Sequence, residues 1–194
     1  MANAGQTIEN MVTGETISFL QTARDTGGRF LLFECRARAG GVSLPAHIHP
    51  HQEELIEILS STVALTVANE ARTVTRGNGV CLPAGIPHRW WNAGDDLLEF
   101  SGQVVPAMDL DRYLQAVFAV LNASSNGRPS IFHFAHVLWR HRDTQLLSVP
   151  PPAIQRIVLP VLLFIGRILG KYRGSSWPGS PESCPGAPLV DGNA

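Results

Sequence analysis

Up to Pro106 the apolar residues of this chain come in short alternating runs; beyond it they recur at helical spacing. The runs predict strands over Thr16 to Phe19, Phe30 to Arg38, Leu55 to Leu59, Thr62 to Val67, Ala71 to Thr75, Val80 to Leu82 and Leu97 to Val105. Between them stand Gly-Gly, Ala-Asn-Glu, Gly-Asn-Gly and Ala-Gly-Asp-Asp, all turn-forming clusters. Many short strands with regular turn signals predict an all-β sandwich or barrel. No internal repeat is visible, so one barrel is expected and not a tandem pair.

After Pro106 the period lengthens. Leu110, Leu114, Val117, Phe118 and Leu121 share one helical face, with Asp109 placed as N-cap. Asn122 to Pro129 reads as a loop. A second helix is expected from Ser130 to about Arg142, and a third from the Pro150-Pro-Pro cluster to Leu169, with Pro152 in its first turn and Pro160 as a kink. From Gly174 the sequence is rich in Pro, Gly and Ser without an apolar period, which predicts disorder. The expected organisation is a β-barrel over 1–106, a helical extension packing on it over 107–173, and a disordered tail over 174–194.

Within the third helix, the stretch from Ile157 to Gly166 is strongly apolar, but Arg156 and Arg167 bracket it. That is too short for a span of about 20 residues. Burial against the barrel or in a homodimer contact is the expectation, with a membrane partner disfavoured. An interfacial helix with Arg156, Arg167, Lys171 and Arg173 near headgroups is the remaining option.

With 194 residues, one domain with a sizeable core is expected. Fifteen Lys and Arg against sixteen Asp and Glu give a net charge of -1 without like-charge runs, which argues against nucleic acid as a partner. Met1 to Asn10 is polar and lacks the pattern of a secretory signal. The three cysteines, Cys35, Cys81 and Cys184, are widely spaced and odd in number, so no disulfide framework is expected and the setting reads as cytoplasmic. Cys35 and Cys81 fall in strands, where a buried thiol is the simplest role.

Two spaced motifs change the picture from fold to chemistry. The first runs from Gly41 to Glu54 and contains His47, His49 and Glu54; the second runs from Gly77 to Asn92 and contains Pro83, Gly85 and His88. Together they resemble the two signature motifs of the cupin superfamily, which carry three histidines and one glutamate onto a single metal inside a small β-barrel. The second motif matches without a gap. The first departs where Ser61 stands in place of a turn glycine, a position with no part in metal binding. The segment from Glu9 to Glu15, Glu-Asn-Met-Val-Thr-Gly-Glu, and the helical end are similar to a subgroup of small single-domain cupins, over roughly Thr7 to Tyr172. The implied fold is mainly β, a single cupin jelly-roll barrel followed by two or three C-terminal α-helices.

The residues support that chemistry on their own terms. Residues two apart in a strand face the same way, so His47 and His49 reach one point, with Glu54 and His88 arriving from other strands. Three imidazoles and a carboxylate suit one divalent ion, Fe, Mn, Ni, Cu, Co or Zn, and leave two positions open in an octahedral field. His51 and Glu53 are candidate catalytic residues beside the ligands, as proton shuttle or alternative carboxylate. Strand parity puts Trp90, Ile56, Leu65 and Val67 on the inward, substrate-lining face and Trp91 outward, under the carboxy-terminal helices. His133 and His136 share a helical face without an acidic companion, so packing is their expected role.

An apolar, aromatic wall around one metal fits a small-molecule substrate. The expected function is a mononuclear-metal enzyme acting on an apolar or aromatic organic molecule. It would be a dioxygenase, or a non-oxidative isomerase, cyclase or decarboxylase, of the natural-product tailoring type. The alternative is a non-catalytic binding cupin whose metal is structural or absent.

Overall fold

The computed structural model describes residues 2–41, 45–124 and 128–173. The tail expected to be disordered, and Cys184 within it, lie outside the described residues. Eleven strands and three helices follow in order among the described residues. The strands are β1 (Thr7–Asn10), β2 (Glu15–Gln21), β3 (Leu31–Ala37), β4 (His47–Ile48), β5 (Glu53–Ser60), β6 (Thr62–Val67), β7 (Glu70–Thr75), β8 (Gly79–Leu82), β9 (His88–Asn92) and β10 (Leu98–Val105). The helices α1 (Leu110–Asn122) and α2 (Ile131–Arg140) come next, then the short β11 (Leu146–Leu147) and α3 (Pro152–Ile168).

The strands form two antiparallel sheets, ordered β1-β2-β3-β10-β5-β8 and β11-β4-β9-β6-β7. Alternation explains how they close on a core: on β5, Glu54, Ile56 and Ile58 are buried while Glu53, Leu55 and Glu57 are exposed. The same period on β3 and β10 sends Leu31, Phe33, Cys35, Leu98, Phe100 and Val104 inward. Gly102 faces Phe33 across the β3–β10 pair, and any Cβ there would overlap the Phe33 ring. The mainly β barrel with C-terminal helices is thus the fold that the sequence predicts.

Differences from expectation lie at short or polar elements. Thr7–Asn10 is too polar to read as a strand, yet pairs with β2 as the sheet edge. Leu146–Leu147, only two residues between helices, pairs with Ile48 and His47. Ser61, standing where the resemblance expects glycine, adopts φ 63°, so the left-handed turn survives with a side chain on it. Cys81 is exposed, contrary to the buried role expected for it, because β8 turns it outward; Cys35 is buried as expected.

α1 is tied to the N-terminal segment: Asn122 donates to Glu9 O at 2.7 Å and accepts from Met11 N at 2.8 Å. Its apolar face, with Leu110, Tyr113, Val117 and Phe118, is buried. Asp109 occupies the N-cap position, but its side chain makes no capping bond and holds His141 and Thr144 instead. α3 packs on α2, and of its residues only Gln155, Leu159 and Gly166 are buried within the chain. Among the described residues no helix is long and apolar enough to cross a membrane.

Candidate metal centre

Four side chains from three strands and one adjoining loop converge inside the barrel. His47 on β4 lies opposite His88 on β9, and Glu54 points inward from β5. His49 follows β4 directly, and its carbonyl accepts Gly85 N–H at 2.8 Å. Gly85 holds φ 77°, which a glycine adopts without a Cβ clash, so this turn fixes β4 against the approach to β9. One potential ligand atom from each of His47, His49, Glu54 and His88 lies within 4.8 Å of the other three.

The rings are aimed by their far sides. His49 Nδ1 lies 3.0 Å from Thr144 O, His88 Nδ1 3.0 Å from Ile86 O, and His47 Nδ1 3.4 Å from Pro45 O. A backbone carbonyl only accepts, so each Nδ1 carries the proton and each Nε2 keeps its lone pair for the centre. His49 Nε2 and His88 Nε2 stand 3.7 and 3.5 Å from Glu54 Oε2. His88 Nε2 is buried and has no hydrogen-bond partner. A buried acceptor left open beside a carboxylate and two other imidazoles fits a cation, so the cluster is able to hold one metal ion.

Electrostatics support the neutral form for His47 and His49. Burial pushes the pKa of His47 well below the ordinary histidine value, and the neighbouring rings push it further. Burial also lowers His49, only partly offset by Glu54. Burial would raise Glu54, but the neighbouring His88 and His49 rings outweigh it and hold the carboxyl below its usual range. For His88 burial works downward, and the Glu54 carboxylate reverses it into a net rise. Neutral His47 and His49 beside an ionised Glu54 supply donors of the kind that a divalent ion requires.

The centre opens on a cavity of about 310 Å³. Ile17, Phe33, Trp90 and Phe100 wall it from the barrel, while Leu114, Val117 and Phe118 of α1 and Phe134 of α2 cover it. Trp90 meets Phe100 edge-on at 4.9 Å. Few polar groups besides the ligands reach it: Glu15, Tyr113 and Gln145, the last donating to Tyr113 Oη at 3.0 Å.

Of the substrate-lining residues expected from parity, Trp90 is in the cavity wall. Ile56, Leu65 and Val67 point inward but are not in that wall; they are buried in the packed core, because the cavity extends from the ligands toward α1. His51 and Glu53 correct another expectation. Both are exposed and neither lines the cavity, since the bend after His49 turns His51 out and β5 alternation puts Glu53 on the outer face. Trp91 points outward as expected but is not under the helices: Arg89 stacks over it at 5.1 Å, beside a small cleft lined by Thr13, Arg38 and Gly41. His133 lies 2.9 Å from Lys171 O, and the His136 ring packs 5.5 Å from Tyr172.

Glu15 is the residue that the motif reading passed over. It is 6% exposed, lines the cavity from β2, and accepts from Cys35 Sγ at 3.6 Å. Burial pushes its pKa from 4.5 up to about 7, against the lowering effect of the Cys35 contact. Its signal was the inward parity of β2, where a carboxylate takes the place of an apolar residue.

Two antiparallel sheets thus enclose an inward cluster of three histidines and one glutamate that is able to hold a metal ion. Residues 33–105 match the family model described as "Cupin domain", and both spaced motifs fall within that stretch. No curated protein matches the chain. Similar solved structures include a cupin-superfamily sugar phosphate isomerase from Silicibacter pomeroyi, with 19% identity, a TM-score of 0.42, and coverage of 50% of this chain and 65% of that one. A predicted oxalate decarboxylase from Thermotoga maritima shows 20% identity and a TM-score of 0.46, over 52% of this chain and 90% of its own. The polyketide cyclase RemF from Streptomyces resistomycificus shows 24% identity and a TM-score of 0.43, over 55% and 82%. Each of these similarities covers about half of this chain.

Proposed function

We propose that this protein is a mononuclear-metal cupin enzyme that acts on a small apolar or aromatic molecule by a redox-neutral rearrangement, cyclisation or decarboxylation. One observation carries the reading: three histidines aimed by backbone carbonyls and one glutamate stand at the end of an apolar cavity of about 310 Å³ that also holds a buried carboxyl, Glu15. A divalent ion held by His47, His49, Glu54 and His88 would supply Lewis acidity to a substrate oxygen.

The other residues divide the remaining work. Phe33, Trp90, Val117 and Phe118 bind an apolar body and exclude water. Tyr113, oriented by Gln145, offers a hydroxyl to a polar substituent at the helical side of the cavity. Glu15, a buried carboxyl in the cavity wall whose pKa burial raises to about 7 in the metal-free protein, is placed to take a proton from one substrate atom and return it to another. This favours the redox-neutral reactions over oxygen insertion, which needs no such group.

The test is turnover of aromatic and polyketide-type carbonyl compounds under argon in D₂O by protein of measured metal content. Deuterium gained at a carbon beside the carbonyl, and lost with Glu15→Gln while metal content stays constant, is the expected result. Products that form only in the presence of oxygen would overturn the assignment.

A further inference from the structure

The third helix leaves its most apolar third uncovered. Ile157, Val161, Phe164 and Ile168 are 70%, 51%, 66% and 66% exposed, and Ile154, Val158, Ile165 and Leu169 are exposed beside them. At about 100° per residue these eight positions share one arc of about 140°. Gln155, Leu159 and Gly166 take the adjoining face, where α3 packs on α2 and Tyr172. Arg156 and Arg167, both exposed, take the third face and border the apolar stripe along its other edge. A contiguous apolar surface of this size is uncommon on a protein facing only water.

Charge separates along the chain in a way that the near-zero total conceals. Residues 1–127 hold eight Arg against thirteen Asp and Glu, whereas residues 128–173 hold seven Arg and Lys against one Asp. From Pro152 to Arg173 there is no acid at all. An isologous contact between two copies of this helix would press one cationic segment against another. An anionic surface with an apolar interior satisfies both the stripe and the cations that border it.

We propose that α3 lies flat on an anionic lipid surface, with its apolar stripe in the acyl boundary and Arg156, Arg167, Lys171 and Arg173 at the headgroups. With 17 residues the helix is about 25 Å long, which suits the plane of the interface and is too short to span the bilayer. The contact does not depend on the reaction proposed above, since the stripe contains none of the residues of the metal centre or the cavity wall.

The experiment is co-sedimentation of the full chain with vesicles of phosphatidylcholine alone and of phosphatidylcholine with phosphatidylglycerol, at low and at high salt, with light scattering of the free protein. Binding to the anionic vesicles at least tenfold stronger than to the neutral ones, and weakened by salt, is expected. The double variant I157Q/F164Q should lose most of this binding while melting temperature and metal content stay those of wild type, because both side chains are exposed. R156Q/R167Q should lose the preference for anionic lipid and keep the residual apolar binding. Absence of anionic-vesicle binding at low salt, or equal binding by I157Q/F164Q, would overturn the proposal. So would a stable dimer that the double variant converts to monomer.

Discussion

His49 and Thr144 are 95 residues apart, yet His49 Nδ1 donates to the Thr144 carbonyl at 3.0 Å. Thr144 is itself held, through its hydroxyl, by Asp109 at the start of α1, and the other Asp109 oxygen takes His141 Nδ1 at 2.7 Å. The orientation of a candidate metal ligand therefore depends on the segment that follows the barrel. His141 is buried and sits beside Tyr113, which lines the cavity, so the same knot joins the ligand cluster to the cover of the substrate space.

Asp109→Ala should release Thr144 and His141 while leaving all four ligands in place. Partners behind a ligating histidine typically govern metal affinity by about 10–100-fold. A loss of that order is expected in competition with a chelator, together with lower thermal stability, because buried His141 loses its carboxylate. Unchanged metal affinity would mean that the barrel alone aims His49.

The ligand cluster itself makes a sharper demand. His88→Ala and His49→Ala should each reduce metal occupancy to well below one ion per chain by elemental analysis, with the far-ultraviolet dichroism of the barrel retained. The barrel ladders do not pass through the imidazoles, and the core around Phe19, Leu65 and Phe100 stays intact. Full occupancy in either variant would place the ion elsewhere.

The sequence made the ligands legible because their information is local. The spacing from His47 to Glu54, and the turn from Pro83 to His88, are set by neighbouring residues, and alternation along β5 sends Glu54 inward. Thr62–Val67 is predicted to its last residue, since a β-branched run between two turns leaves little freedom. What escaped is information about the third dimension. Parity tells that Ile56, Leu65 and Val67 face inward but not how far along the barrel the cavity extends. Nothing local distinguishes exposed His51 from buried His49, because the bend between them decides it, whereas Glu53 is set outward by the same alternation that turns Glu54 inward. Glu15 was hidden for the converse reason: its meaning comes from Cys35 and the cavity, both distant in sequence.

Trp90 and Trp91 are adjacent and should behave as opposites. Trp90→Ala removes an aromatic wall beside the centre, so substrate affinity should fall by about 1–3 kcal/mol with metal content unchanged. Trp91→Ala loses the stacked Arg89 and the cleft near Thr13, and should lower the melting temperature while sparing affinity. Titration of a bound ligand by intrinsic fluorescence and a thermal melt separate the two. The reverse pattern would put the substrate in the small cleft between Arg38 and Trp91, which reaches His47 from the other side of Trp90.

Glu15 carries a stability signature that can be read without a substrate. In the unfolded chain its carboxyl ionises near 4.5, whereas burial in the native barrel raises this to about 7. Below pH 4.5 both states are protonated and the residue costs nothing by ionisation. As pH rises toward 7 the unfolded state loses its proton first, so native stability falls, and above 7 the loss levels off at about 3 kcal/mol. Glu15→Gln removes the titration. In chelator-treated protein, the variant should match wild type in denaturant unfolding at pH 4 and exceed it by up to about 3 kcal/mol at pH 8. Parallel profiles across that range would show that Glu15 ionises like an exposed carboxylate, and its assigned part in proton transfer would have to be withdrawn.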